Sequence, residues 1–349
     1  ASTPIIFNSC LIIAAIFIAP KYELPIYILA WGVVVAGFMQ LFIQFFPLKQ
    51  IDRLPVPKID FHHPGAIKVF KLMIPAIIAG GILQINLLVD TIFASLLTTG
   101  SPTWLYVSDR LIQFPMGIFA IAIGTILLPE LSKLSSDQDK PKFIDRVKKG
   151  QRFVLFIGIP SFIGLAFCSV DLISTIFLRG EFGVGDVYQS SFSLIAFSFG
   201  LPFFMLMKVL TPTFFARKDT KTPMYIALIS LIMNACLNYI LAFTFGFGHI
   251  GIAIGSSISA IISVLILEII LIKQGIVVLH NPVNRFNLSV LVSSIFMIIF
   301  LHSSSSYSFI DLNSFERVLF LLFKVLISIT IYFSFARLIY GKPLKEILD

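Results

Sequence analysis

Residues 249–273 read HIGIAIGSSISAIISVLILEIILIK, twenty-five positions in which Glu268 is the only charge before the closing Lys273. A transmembrane helix needs about 20 apolar residues, and this stretch supplies them without the alternation that marks a barrel strand. Runs of the same kind recur at 1–19, 26–46, 66–97, 104–130, 151–178, 187–212, 222–245, 286–305 and 315–340. The expected fold is therefore all-α and integral to a membrane, a polytopic bundle of about ten transmembrane helices. Composition points the same way, with 57% of the 349 residues hydrophobic and only 13% charged. A soluble globule of this size needs a more polar exterior, and a disordered chain needs far fewer apolar residues than this one has.

The formal charge of +8 would suggest a nucleic-acid partner in a soluble protein. Its placement argues otherwise. One alternating set of loops carries 20 of the 26 basic residues, and the opposite set carries Lys21, Arg179 and Arg317. Lysine and arginine collect on the cytoplasmic side, so the first helix is expected to start inside and the C-terminus to end inside. No nucleic-acid partner is expected. The densest basic stretch, 131–152, reads as a loop that sets topology and attracts anionic lipid heads. Cys10, Cys168 and Cys236 each sit in an apolar run without metal spacing, which fits buried packing. The opening Ala1-Ser2-Thr3-Pro4 has neither a methionine nor a basic n-region, so no signal peptide is expected.

Three basic residues fall inside the expected spans, Arg110, Lys208 and Lys324, together with Asp90, Asp109, Asp171 and Glu268. An ionised side chain at mid-bilayer costs about 2.5–3.5 kcal/mol on insertion scales and so tends to face a polar interior. Lys324 and Asp171 lie near span ends, where snorkelling is the simpler account. The stretch Ser108-Asp109-Arg110-Leu111-Ile112-Gln113-Phe114-Pro115-Met116-Gly117 is different. On a helix Arg110, Gln113 and Gly117 share one face, with Asp109 about 100° away. Arg110 is thus free for an anion, and its planar fork suits a phosphate. Pro115 removes a backbone donor and bends the helix.

Asp109-Arg110-Leu111-Ile112-Gln113-Phe114-Pro115 and Gly124-Thr125-Ile126-Leu127-Leu128-Pro129-Glu130-Leu131-Ser132 resemble segments of the MurJ (MviN) lipid II flippases. So do Lys208-Val209-Leu210-Thr211-Pro212 and Phe215-Ala216-Arg217-Lys218-Asp219-Thr220-Lys221-Thr222-Pro223, in the same order along the chain. The family belongs to the multidrug/oligosaccharidyl-lipid/polysaccharide exporter superfamily and has fourteen helices. The resemblance equates the ten spans with helices five to fourteen, so the chain looks like an N-terminally truncated member. Residues 1–47 would then be the last two helices of the N-terminal lobe and 48–65 a cytoplasmic linker. Residues 66–273 would form the six-helix C-terminal lobe, and 274–349 the extra helix pair and tail.

The resemblance implies a transporter and not an enzyme, placed as a multi-pass protein in the bacterial cytoplasmic (inner) membrane. Its implied substrate is lipid II, the undecaprenyl-diphosphate-linked disaccharide peptide, with membrane lipids and cell-wall synthesis proteins as further partners. Arg110 would hold the diphosphate, Asp109 and Gln113 would tune it, and Lys208 and Pro115 would serve structure or transport. Two other readings are a drug or polysaccharide exporter of the same superfamily and a non-transporting membrane scaffold.

Asp90, Asn234, Asn238 and Ser256 are further polar residues inside apolar runs. Hard cations prefer such oxygens, whereas helix bundles also use them for hydrogen bonds between helices. Both readings stand on the residues alone. Sodium-binding members of the family have ligands at matching positions. By resemblance the set is Asp90, Asn234, Asn238 and Ser256 with the Ile252 carbonyl, and Na+ is the coupling ion; no other cofactor is implied. Gly246-Phe247-Gly248-His249-Ile250-Gly251 spells a dinucleotide-binding pattern but lies between two apolar runs, not in a βαβ unit. Its glycines are expected to serve a tight turn and close helix packing, and the five histidines look loop-proximal.

Overall fold

The computed structural model describes residues 3–50, 81–82, 84–134, 139–276, 285–304 and 312–340. Contacts divide the chain into two compact units, Ala1–Met73 and Ile74–Asp349. In the first unit, α1 (Thr3–Ile13) passes through a π-helical turn, Ala14–Ile18, and a 3-10 turn, Ala19–Lys21, before α2 (Pro25–Gln50). Pro20 sits in the first turn of that 3-10 segment, where its missing N–H is tolerated. Helix α2 continues past the expected linker boundary as far as Gln50. The rest of that linker, 51–65, lies outside the described residues, as does 66–80 of the third expected span.

The second unit begins its described part with α3 (84–95). It continues with α4 (Ser101–Pro115), α5 (Ile121–Lys133), α6 (Lys140–Phe167), α7 (Ser169–Phe177) and α8 (Val184–Ala216). Helices α9 (Lys221–Tyr239), α10 (Gly248–Lys273), α11 (Arg285–Ser304) and α12 (Ser314–Tyr340) complete it. Among the described residues, eight helical segments are long and apolar enough to cross a membrane. Segment 1–19 falls short because its helix is short and irregular. The exteriors are apolar, with Trp31, Phe38 and Leu338 all more than 60% exposed. That outward display suits a hydrocarbon solvent.

Helix α8 is the post around which the second unit packs: α4, α5, α6 and α10 all contact it extensively. It buries Leu194, Leu201, Met205, Val209, Leu210 and Phe214 completely. Segment Ser101–Lys133 is one long span in which Pro115 ends α4, and the five residues Met116–Ala120 run as a π-helical turn before α5 resumes. Proline cannot donate into the helical ladder and crowds the carbonyl one turn back, so the register is reset at this point.

Three expectations are corrected. The run 151–178 is two helices: α6 ends at Phe167 and α7 starts at Ser169, with Cys168 between them outside helical geometry (ψ 17°). Hydropathy does not change there, so the sequence hides the break. The basic stretch 131–152 is largely helix, because α6 already starts at Lys140. Pro141 occupies its first turn, where proline is favoured, and the lysines that follow are good helix formers. His249 is not a loop residue. It is buried in the first turn of α10, with its ring centroid 4.8 Å from that of Trp104 and Nε2 3.2 Å from the Gln189 carbonyl. Trp104 Nε1 in turn donates to Asp186 at 2.7 Å, so this aromatic pair ties together one end of α4, α8 and α10. Gly251 has the expected packing role: a Cβ there would lie 2.7 Å from the Ala242 backbone nitrogen.

Lys324 and Asp171 also depart from expectation. Neither snorkels. Lys324 Nζ donates to Asp171 Oδ2 at 2.6 Å, and the two side chains are 5% and 11% exposed. The pair joins α12 to α7, and Tyr332 Oη adds a bond to the Phe156 carbonyl on α6 at 2.9 Å. The helix pair α11–α12 is thereby fastened to the same compact unit as the six helices before it. Removing one partner of a buried ion pair strands the other charge, at about 3–5 kcal/mol. Lys324→Met is therefore expected to lower the thermal midpoint in detergent sharply, and Lys324→Met combined with Asp171→Leu is expected to recover most of the loss.

Candidate substrate and cation sites

A polar cluster forms where α3, α9 and α10 meet. Asn234 and Asn238 are one turn apart on α9 and almost fully buried. Asn238 Nδ2 donates to Asp90 Oδ1 on α3 at 2.6 Å and to Asn234 Oδ1 at 3.0 Å. Asn234 Nδ2 donates to Ser256 Oγ on α10 at 3.0 Å. The structure thus brings Asp90, Asn234, Asn238 and Ser256 into one chain of contacts. Ile252 is buried one turn before Ser256.

Two oxygens in this region are buried without a hydrogen-bond partner, Asn238 Oδ1 and Asn86 Oδ1. Asn86 lies one turn before Asp90 on α3 and was missed as a site residue; its i−4 spacing from Asp90 was the available signal. The Asn238 oxygen explains Gly255. A Cβ at that position would collide with Asn238 Oδ1, so any larger residue requires this amide to move. In its present orientation the Asn238 NH2 group sits between two oxygens, as a cation would. Turning the amide over would direct a third oxygen to the same place, and amide orientation follows from the hydrogen-bond network around it. The donor set therefore fits a hard cation.

Arg110 lies on α4 with an exposed side chain, its guanidinium 4.7 Å above the ring of Tyr106 one turn back. A cation over an aromatic face keeps its N–H groups open to a ligand at the ring's edge. Gln113 does not complement Arg110 as its place on the same face suggested. Its Nε2 donates to Asp109 Oδ2 at 2.5 Å, an i,i+4 bond that ties both side chains to each other. Asp109 is also within electrostatic reach of Asp90, so the arginine segment and the polar cluster are neighbours. Pro115 is buried at the end of α4. Lys208 is exposed on α8, and its carbonyl would be 3.1 Å from a Cβ at Gly124, which marks a close approach of α5 to α8.

The turn between α8 and α9 is held by Asp219, whose carboxylate accepts from the Thr222 N–H at 3.0 Å and the Thr222 hydroxyl at 2.7 Å. Partial burial pushes this carboxyl up. The bonds from Thr222 and Lys221 and the nearby Arg217 charge outweigh that and hold it below the ordinary range. Arg217 Nη1 also donates to Gln274 Oε1 at 2.5 Å, joining this turn to the end of α10.

The family model for the lipid II flippase MurJ matches residues 1–344. A probable lipid II flippase MurJ of Vibrio cholerae is 41% identical over 274 residues, covering 78% of this chain and 52% of the relative. The corresponding protein of Haemophilus influenzae is 36% identical over 338 residues, 95% of this chain and 66% of the relative. This chain therefore spans half to two thirds of the length of those relatives. A solved lipid II flippase MurJ in an inward closed conformation superposes with a TM-score of 0.78 at 28% identity, covering 99% of this chain and 68% of that one. An outward-facing multidrug resistance MATE family transporter of the MOP superfamily gives a TM-score of 0.51 at 19% identity over 66% of this chain and 52% of that one, a likeness of fold.

Gly255→Ala is expected to displace the Asn238 amide and destabilise the α9–α10 contact by about 1–3 kcal/mol, as overpacking does, measured by thermal unfolding in detergent. Asp219→Ala is expected to cost about 0.5–2 kcal/mol, the usual effect of losing a capping side chain. Because the folded carboxyl titrates below its unfolded value, this contribution is complete above the ordinary carboxylate pKa and fades as the pH falls through the lower folded value. The difference between wild type and Asp219→Ala should therefore shrink in strongly acidic buffer.

Proposed function

The chain belongs to the lipid II flippase MurJ family, and from that premise we propose that the protein it comes from carries lipid II across the bacterial cytoplasmic membrane. The observation that carries this reading is Arg110, a permanent cation kept exposed on an apolar helix. Such a charge is costly in lipid unless an anion or a polar cavity receives it. A diphosphate matches the planar guanidinium with paired, charge-assisted hydrogen bonds. Asp109, held by Gln113, sets the negative side of the same turn and orients the segment. Lobes rocking about the site would expose it to each side in turn. Proteins of cell-wall synthesis that use the delivered lipid are the partners this reading implies. A drug-exporter reading has only the shared fold in its favour.

Sodium is the proposed coupling ion. Asp90, Asn234, Asn238 and Ser256 would hold it through side-chain oxygens, with the Ile252 carbonyl as a further donor. Bound there, it supplies positive charge that the membrane potential acts on, about 2.3 kcal/mol per charge per 100 mV. The unpartnered Asn238 oxygen and the two carbonyl or carboxylate oxygens around its amide support this assignment.

In cells depleted of their own flippase, the full-length protein with Arg110→Ala is expected to lose growth support at wild-type abundance. Full complementation by that variant would overturn the role of Arg110. Sodium, compared with equal potassium, is expected to raise the thermal midpoint of the purified protein, and Asp90→Asn should erase the difference. A wild type indifferent to sodium would end the coupling-ion assignment.

A further inference from the structure

Helices α5 and α6 both pack on α8 and touch each other much less. The wedge left between them is a cavity of about 250 Å³. Along α5 it is lined by Ile118 of the preceding π turn, then Ala122, Ile126 and Glu130. These four are spaced one turn apart, so apolar side chains line the wedge until the acidic Glu130 near the end of the helix. Along α6 the facing residues are Phe153, Lys149 and Arg146, again apolar first and then charged. Gly150 keeps α6 close to α8: a Cβ there would sit 3.1 Å from Val209 Cγ1. A second cavity of about 520 Å³ adjoins the first through Arg146 and Lys149 and extends to Lys142, Asp145 and Pro141.

The wedge is thus greasy where it faces hydrocarbon and, where it meets the cytoplasmic surface, carries two cations, Arg146 and Lys149, against one carboxylate, Glu130. Lys142, Arg146 and Lys149 follow one face of α6 at helical spacing. Arg146 Nε contacts Glu130 Oε2 at 3.3 Å and Lys149 Nζ contacts Asp145 Oδ2 at 3.4 Å, yet both basic side chains stay about a third exposed. The charged side chains lining the two cavities are Lys142, Arg146 and Lys149 against Glu130 and Asp145, an excess of one positive charge. Ile126, at the open side, is 61% exposed.

We propose that the α5–α6 wedge is a binding site for an anionic glycerophospholipid of the cytoplasmic leaflet, its acyl chain against Ile126 and Phe153 and its phosphate against Arg146 and Lys149. The basic 131–152 stretch then does more than attract lipid heads in general, because its helical part places two cations at the mouth of an apolar slot. Basic pockets between membrane helices on this side are suited to such headgroups. The site lies wholly within one compact unit and is independent of the flippase reading.

The test uses the purified full chain in phosphatidylcholine vesicles doped with a photoactivatable phosphatidylglycerol, with labelled peptides mapped by mass spectrometry. Labelling is expected to saturate, to fall on 118–153, and to drop about tenfold both in Arg146→Gln/Lys149→Gln and in Ile126→Trp. Lys133→Gln/Lys140→Gln, which removes equal charge outside the wedge, should leave it unchanged. Ile126 is exposed, so tryptophan is tolerated there and an unchanged thermal midpoint verifies the fold. Equal loss in both charge variants would overturn the site in favour of diffuse attraction, and so would undiminished labelling in Ile126→Trp. Displacement by a polyprenyl diphosphate but not by unlabelled phosphatidylglycerol would also overturn it, by assigning the wedge to the transported lipid.

Discussion

A polar group surrounded by hydrocarbon has no water to turn to, and that single constraint organises this protein. Backbone groups meet it by forming helices. Side chains meet it in two further ways. Many buried hydroxyls bond to the carbonyl one turn back, as Ser191 does to Val187, Ser198 to Leu194 and Thr213 to Val209 on the central helix. The stronger groups find partners on other helices, and those bonds become the cross-links of the fold. Lys324 with Asp171, Trp104 with Asp186 and Asn238 with Asp90 each connect helices far apart in sequence.

The same constraint is met to different degrees by the polar groups of this unit. Lys324 and Asp171 neutralise one another across α12 and α7. The α3–α9–α10 cluster does not close in this way, since Asn238 and Asn86 each retain a buried oxygen without a partner. Arg110 is different again, resting on the Tyr106 ring while Asp109 spends a hydrogen bond on Gln113. Buried unpartnered atoms are not confined to this cluster, since Ser193, Ser259 and Ser293 also carry them; what sets the α3–α9–α10 cluster apart is the convergence of a carboxylate and two amides.

The membrane class, the α8–α12 spans and the family were legible in the chain because hydrophobic runs of helical length have few other solutions. The Asp90 cluster was legible only through the family resemblance; spacing alone brings Asn234 to Asn238 but cannot bring α3 to α9. The division at Cys168 was hidden because the residues on both sides are equally apolar. The start of α6 at Lys140 was hidden for the opposite reason, since a charged segment reads as a loop when hydropathy alone sets the boundary. The Lys324–Asp171 pair was misread because each residue considered alone lies near a span end, and only the docking of α12 on α7 brings them together. Gly255 offered no signal, because its role depends on the amide of another helix.

The π turn at Met116–Ala120 has a consequence for how one span can serve two environments. A π turn accommodates about one residue more than an α turn, worth about 100° of rotation. The direction in which Arg110 projects and the direction in which Ile126 and Glu130 project are thus phased independently, although all three belong to one continuous rod. Losing a single residue within 116–120 would leave α4 aimed as it is and swing α5 by roughly a quarter-turn, exchanging the neighbours of its whole cytoplasmic half without altering one side chain in it.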